Sequence, residues 1–269
     1  MKGIILAGGN ATRLYPCTAQ TSKQMLPVYK VPMIFYPLNI LIKAGIKDIL
    51  LVVSPLHSGK FMNMLEPMFR PYGINILSGI QEIPSGLPEA FTIGEPFIGD
   101  DNVTLILGDN IFQDTDTIAE AIKDFSDGAH IFVKEVDDPE RFGVATVSGN
   151  GLVTDVVEKP SNPESNLAVT GAYIYDNEVI DAAKNLTPSE RGELEIVDLH
   201  NYYLKKNELN FTKISGEWLD AGTNDSYLEA CLLAKELALY DSFDPIIHEA
   251  VENGRELFKK RAKSQLIKN

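Results

Sequence analysis

The segment Leu6-Ala-Gly-Gly-Asn-Ala-Thr-Arg-Leu-Tyr-Pro16 leaves an apolar run through Gly8 and Gly9 and then reaches Thr12 and Arg13. Adjacent glycines let backbone N–H groups close on an anion, and a following hydroxyl and guanidinium suit a di- or triphosphate. By itself the segment also reads as a tight turn with a surface arginine. It is not a P-loop, because no Gly-Lys-Ser/Thr follows, and it lacks the third glycine of a dinucleotide fingerprint. Lys23, in Ser22-Lys-Gln-Met-Leu-Pro27, stands in a loop bounded by Pro16 and Pro27. It is either a solvated lysine or a second cation for the same phosphates. Gln81 opens Gln81-Glu-Ile-Pro-Ser-Gly-Leu87. Its amide offers a donor and an acceptor, which match the O4/N3–H edge of uracil or thymine. Gly86 would let a flat base lie against the backbone; an ordinary Pro-Ser-Gly loop is the alternative.

Carboxylates supply the next group of candidates. Leu105-Ile-Leu-Gly-Asp-Asn110 places Asp109 at the tip of an apolar run, where a charge is costly unless paired or bound to a metal. Mg²⁺ takes one or two protein carboxylates together with substrate phosphates and waters. Asp220, in Trp218-Leu-Asp-Ala-Gly-Thr223, is a second such residue, or else a cap for the helix expected from Asn224. Glu158 can accept sugar hydroxyls, Lys159 is a point charge, and Arg191 is a fork for another phosphate. Each of these three can instead be a surface ion-pair residue.

These residues need a frame. Apolar runs at Gly3–Leu6, Asp48–Val53, Ile74–Ser78, Val103–Leu107 and Ala129–Val136 alternate with helical patterns near Tyr36–Ala44, Ser58–Phe69, Pro88–Ile93 and Thr117–Phe125. That alternation predicts an α/β fold whose mostly parallel sheet is covered on both faces. Ligands of such sheets sit beyond the carboxyl ends of the strands. Farther on, Gly143–Val147 and Leu152–Val157 flank the turn Ser148-Gly-Asn-Gly151. Strands at Ala168–Tyr175 and Leu209–Ile214 follow, then helices at Asn224–Leu239 and roughly Pro245–Ala262. One continuous α/β domain with a mixed sheet is expected.

Composition sets the outer bounds. The 269 residues are 44% hydrophobic, enough for a core and against wholesale disorder. They carry 38 Asp+Glu against 24 Lys+Arg, a net −14, which disfavours a nucleic-acid partner. The charge is uneven. Residues 255–269 hold six Lys/Arg and the single acid Glu256, so residues 1–254 carry 18 basic against 37 acidic groups, a net −19. No apolar run approaches the roughly 20 residues of a membrane helix. Cys17 and Cys231 lie far apart, and a reducing, cytoplasmic setting is expected. His57, His130, His200 and His248 show no zinc-ligand spacing, and Met62, Met64 and Met68 read as helix core.

Seven motifs occur in a fixed order: Gly8-Gly9 with Thr12-Arg13-Leu14 and Pro16; Ser22-Lys23-Gln24 with Leu26-Pro27; Leu107-Gly108-Asp109-Asn110; Glu158-Lys159-Pro160; Val169-Thr170-Gly171; Arg191-Gly-Glu-Leu-Glu195; and Trp218-Leu219-Asp220. From Met1 to about Thr223 the chain resembles the sugar-1-phosphate nucleotidyltransferases, and most closely the branch that makes dTDP-glucose. The resemblance implies a Rossmann-like domain over residues 1–240, with a nucleotide half to about 136, a smaller sugar-phosphate half to 240, and a helical extension over 241–269. It implies attack by glucose 1-phosphate on the α-phosphorus of dTTP, releasing pyrophosphate. Leu6, Gly8, Gly9, Thr12, Arg13, Lys23, Gln24, Gln81, Gly86 and Asp109 would bind the nucleotide, the first loop with Arg13 and Lys23 holding the triphosphate and Gln81 and Gly86 reading the base. Asp109 and Asp220 would hold Mg²⁺, and Arg13, Lys23 and Asp109 would be catalytic. Gly143, Glu158 and Val169 would meet the glucose, and Lys159 and Arg191 its phosphate. Homodimers or homotetramers are common in the family.

Three departures stand out. Ala11 replaces a usual glycine, so its φ must be negative or strained. Phe142 stands where tyrosine is common. After Phe112 the run Gln113-Asp-Thr-Asp116 differs from the tetrameric members, so end-product regulation is not inherited. UTP in place of dTTP stays open, because uracil and thymine share the edge that Gln81 would read. A non-catalytic sugar-nucleotide-binding subunit is the alternative of a different class; the presence of Arg13, Lys23, Asp109 and Asp220 argues against it.

Overall fold

The computed structural model describes residues 1–9 and 11–266; Asn10 of the first loop and the end of the basic tail lie outside the described residues. The first half runs β1 (Lys2–Ala7), a short hairpin of β2 (Pro27–Val28) and β3 (Val31–Pro32), α1 (Phe35–Lys43), β4 (Asp48–Val53) and α2 (Pro55–Phe69). It continues with β5 (Asn75–Ile80), α3 (Glu89–Ile98), β6 (Val103–Leu107), β7 (Asn110–Phe112), α4 (Thr115–Asp124) and β8 (Ala129–Glu135). The second half holds β9 (Gly143–Val147), β10 (Val153–Glu158), β11 (Leu167–Tyr175), α5 (Val179–Lys184), α6 (Ile196–Lys205) and β12 (Leu209–Lys213). It closes with β13 (Trp218–Asp220), α7 (Asn224–Glu236) and α8 (Pro245–Leu266).

Alternation along the central strands explains the layers. In β1, Ile5 and Ala7 enter one apolar cluster with α1, while Ile4 and Leu6 enter another with Ala90 and Phe91 of α3. β4 divides the same way, Ile49, Leu51 and Val53 against Leu50 and Val52. Side chains of successive strand residues point to opposite faces, so strands this apolar must be covered on both. The main sheet has nine strands in the order β10-β9-β11-β6-β1-β4-β5, with β8 also on β11 and β12 on β8. Only β11 and β10 run against β1, which makes the sheet mixed but mostly parallel.

β11 is the pivot. It pairs with β6 and β8 near Tyr173–Tyr175 and with β9 at Ala168, and its register with β8 shifts between Val169 and Tyr173. Such a bulge bends the strand and frees backbone groups from the ladder. The freed segment faces the ends of β6 and β7.

Several elements differ from the sequence expectation. α3 runs beyond Ile93 to Ile98, because side-chain-free Gly94 lets it sit close on Ile4 and Leu50. α7 stops at Glu236, short of Leu239, where Ala238 turns to φ 49° and a one-turn 3₁₀ segment follows. α5, α6 and the two-residue and three-residue strands were not anticipated. Met62, Met64 and Met68 are half-buried against the core, and Met68 meets α8 at Gly254. Among the described residues no helix is long and apolar enough to cross a membrane.

Two buried histidines tie this packing to pH. His200 of α6 lies against Tyr175 (centroids 6.2 Å, 12°) and Tyr173 (5.3 Å), and neither ring nitrogen has a hydrogen-bond partner among the described residues. Burial drives its pKa down from 6.5 to about 3, and that of His130 to about 4. The folded state therefore keeps both rings neutral, while the unfolded chain takes up protons below about pH 6.5. Stability should fall as pH drops from 7.5 to 5. A His200→Phe variant should show a shallower fall in Tm; identical slopes would remove His200 as a source.

Candidate active site

The carboxyl ends of β1, β5 and β6 open toward one side of the sheet, and the first loop leaves β1 there. Gly8 is needed because Gln81 lies against it: a Cβ would fall 2.1 Å from Gln81 Oε1. Ala11 takes φ 48° and ψ 35°, the strained of its two options, at a cost of about 1 kcal/mol for a side chain in the left-handed region. The Thr18 hydroxyl donates to its carbonyl at 2.9 Å and helps hold that turn. Arg13 follows in the turn Thr12–Leu14 and reaches the cleft. Thr12 is exposed on the same turn and does not line the cleft.

Lys23 begins a second single turn, Lys23–Met25, anchored to the β2–β3 hairpin. Ile34 N–H donates to the Gln24 carbonyl and Met33 N–H to that of Leu26, both at 2.9 Å. Gln24 is buried and accepts from the Ser22 hydroxyl. Lys23 Nζ is thereby aimed at Asp109 Oδ2, with which it forms an ion pair.

Asp109 and Asp220 come from distant parts of the chain, and a two-stranded ribbon brings them together. β13 pairs antiparallel with β7, setting Asp220 opposite Asn110, and Ala221 N–H donates to the Asp109 carbonyl at 2.9 Å. Asn110 Oδ1 accepts from Trp218 Nε1 (2.7 Å) and from the Gly171 N–H that the β11 bulge exposes (3.0 Å). A Cβ on Gly171 would lie 2.5 Å from Asn110 Oδ1, and one on Gly108 would lie 2.9 Å from the Leu6 carbonyl. Asp220 does not cap α7. Thr223 does, in a reciprocal capping box with Ser226.

The two carboxyls have opposite electrostatic settings. Burial raises Asp109, but the Lys23 ammonium outweighs it by charge and hydrogen bond and holds the group below the ordinary range. Asp220 is pushed up to about 6 by burial and by repulsion from Asp109. Its Oδ1 is buried without a partner among the described residues. An orphaned carboxylate oxygen beside a second carboxylate suits a hard divalent cation. No group of three or more His, Cys, Asp or Glu fit for a metal occurs among the described residues. Two carboxylates would therefore leave the remaining coordination to phosphate oxygens and water.

Two cavities meet at this point, of about 360 and 370 Å³, and Arg13, Gly86, Leu107 and Asp220 line both. The first is completed by Leu6, Gly8, Gly9, Lys23, Gln24, Gln81 and Asp109. The second takes in Gly143, Glu158, Lys159, Val169 and Arg191. Every expected site residue except Thr12 thus lies on one continuous cleft. Gly86 owes its identity to more than an open face. It has φ 128°, and its backbone bridges to Leu194, where a Cβ would fall 2.1 Å from the carbonyl oxygen.

In the second cavity Lys159 and Arg191 are already paired. Glu158 Oε1 lies 3.1 Å from Lys159 Nζ and 3.3 Å from Arg191 Nη1; Arg191 also meets Glu193 at 3.4 Å and Glu195 at 3.6 Å. Lys159 is held at φ 43°, a strained position at the end of β10. Phe142 packs on Trp218 with centroids 5.1 Å apart. Tyr173, Trp218, Glu193 and Glu195 line this cavity without having been assigned a role from sequence. Trp218 is the only tryptophan and Asn110 directly follows Asp109, and those are the signals that could have marked them.

A sequence profile described as nucleotidyl transferase matches residues 2–236. A glucose-1-phosphate thymidylyltransferase of Neisseria meningitidis is 49% identical over 236 residues, covering 86% of this chain and 81% of the relative. One from Xanthomonas campestris is 44% identical over 259 residues, covering 94% and 87%. A Bacillus anthracis crystal structure solved with sucrose superposes with TM-score 0.81 at 41% identity, over 88% of this chain and 96% of that one. A UDP-glucose pyrophosphorylase matches at TM-score 0.77 and 22% identity, covering 87% and 98%, a likeness of fold alone. With its motifs gathered on one cleft and its length spanned by such relatives, the chain belongs to the nucleotidyl transferase family.

Proposed function

We propose that the chain joins dTTP to glucose 1-phosphate, giving dTDP-glucose and pyrophosphate. The observation that carries this reading is the shared wall: one cavity offers Lys23 and Asp109, the other Lys159 and Arg191, and Arg13 and Asp220 line both. Two phosphate-bearing substrates placed in these cavities meet at that wall. The names of the relatives, glucose-1-phosphate thymidylyltransferase, supply the substrate pair.

The chemistry asks for positioning more than for acid–base work. The nucleophile is a phosphate oxygen of the sugar phosphate, already anionic, so no general base is needed. It forms a bond to the α-phosphorus as the α–β anhydride bond breaks, and the electron pair leaves with pyrophosphate. The obstacle is repulsion between anions, which fixed cations relieve. Arg13 and Lys23 hold the triphosphate and stabilise charge on the departing pyrophosphate, with Thr12 at the mouth of the same loop. Gln81 reads the base. Glu158, Gly143 and Val169 set the hexose, and Lys159 and Arg191 exchange their carboxylate partners for its phosphate. Asp109 and Asp220 would hold Mg²⁺, which when bound supplies further positive charge to the phosphates.

Pyrophosphate release should require Mg²⁺ and glucose 1-phosphate, with dTTP preferred over UTP, CTP, ATP and GTP. Preference for UTP would move the chain to the uridylyl branch, and silence with both pyrimidines would overturn the reading. Arg13→Ala should lower kcat by about 10²-fold or more, the scale of losing one charge-stabilising donor. A near-normal kcat would sink that role. Lys159→Ala should chiefly raise KM for glucose 1-phosphate, and an unchanged KM would take Lys159 off the substrate.

A further inference from the structure

Glutamine amides are ambiguous: O and N are alike in shape, and a flip exchanges acceptor for donor. Gln81 is 3% exposed and stands just past the end of β5, where its backbone N–H donates to the Val53 carbonyl at 2.9 Å. Its Nε2 donates to Glu89 Oε2 at 2.6 Å, in the first turn of α3. The same Glu89 oxygen accepts from the Ser85 hydroxyl (2.7 Å) and the Ser85 N–H (3.2 Å). Three donors thus converge on one oxygen and pin the carboxylate. A carboxylate only accepts, so the flipped amide would press Gln81 Oε1 against it with no proton between them.

That arrangement decides what the cleft meets. One amide hydrogen is taken by Glu89. Left for the nucleotide cavity are the other amide hydrogen and Oε1, which sits against Gly8. This pair carries one acceptor and one donor in a fixed order. It complements a base with N3–H and a 4-keto oxygen. A 4-amino pyrimidine, with an unprotonated N3 and an N4 donor, needs the opposite order.

We infer that Glu89 is the positioning residue for base selection: by fixing the flip of the Gln81 amide it makes the site accept 4-keto and reject 4-amino pyrimidine nucleotides. This rests on the base-reading role proposed above for Gln81. The glutamate itself touches no substrate; it lies behind the glutamine and sets its sense.

The test is equilibrium binding of dTTP and dCTP, each without the sugar phosphate, to the full chain and two variants. Wild type should prefer dTTP. In Glu89→Gln the new amide can offer either a donor or an acceptor, so both senses of Gln81 are satisfied. The dTTP:dCTP affinity ratio should then fall by about tenfold or more, largely through tighter dCTP binding. A merely structural role would weaken both nucleotides alike and leave the ratio unchanged, which overturns the inference. Gln81→Ala separates the two layers. If it abolishes the preference and Glu89→Gln does not, Glu89 has no positioning role while Gln81 still reads the base. If Gln81→Ala leaves the preference intact, or wild type shows none, the base-reading role and this inference both fall.

Discussion

Asp109 and Asp220 repel each other, and with most water excluded the surrounding chain has to contain that repulsion. Lys23 offsets the charge of Asp109, and the raised pKa of Asp220 absorbs the rest. The lysine can do so only from a turn locked to the β2–β3 hairpin. The carboxylates can stay apposed only because β7 and β13 are zipped together. That ribbon in turn depends on Asn110, which joins Trp218 to the bulge in β11. Gly108 and Gly171 follow from the same packing, since a side chain at either would strike its neighbours. Motifs scattered over more than a hundred residues are therefore a single mechanical unit around one pair of charges.

The cleft resolves the tension between an acidic body and anionic ligands. Three of its cations are already paired, Lys23 with Asp109, Lys159 with Glu158, and Arg191 with Glu158, Glu193 and Glu195. These side chains are thus held in place by their carboxylate partners in the absence of substrate.

Much of this was legible beforehand. The buried strands declared themselves as short apolar runs, because both faces are covered. The loop residues declared themselves through glycine, cation and carboxylate at strand ends. What stayed hidden has physical causes. β7 and β13 are three residues each, too short for any alternation to register, and their pairing is set by Asn110. α6 begins with β-branched Ile196 and Val197 and has no side-chain cap at Glu195, so neither its start nor its type was marked. Ala11 left two conformations open, and only the closure of the loop chose the left-handed one. Glu89 stands in no motif and nothing in its neighbours marks it. Its meaning lies in a hydrogen bond across a loop, and a single sequence does not record contacts of that kind. Thr12 shows the converse: it sits within the loop motif, but its side chain is at the surface.

The bridge between Gly86 and Leu194, reinforced by Leu194 N–H donating to the Ser85 carbonyl at 2.7 Å, has an evolutionary consequence. It splices the loop that carries Gly86 to the loop that carries Arg191. A length change on either side would shift the hydrogen-bond register of the other. The walls of the two cavities are therefore not separable modules in this fold. Descendants that alter one of these loops inherit a mechanical demand on the other, so side-chain replacement disturbs the cleft less than loop exchange does.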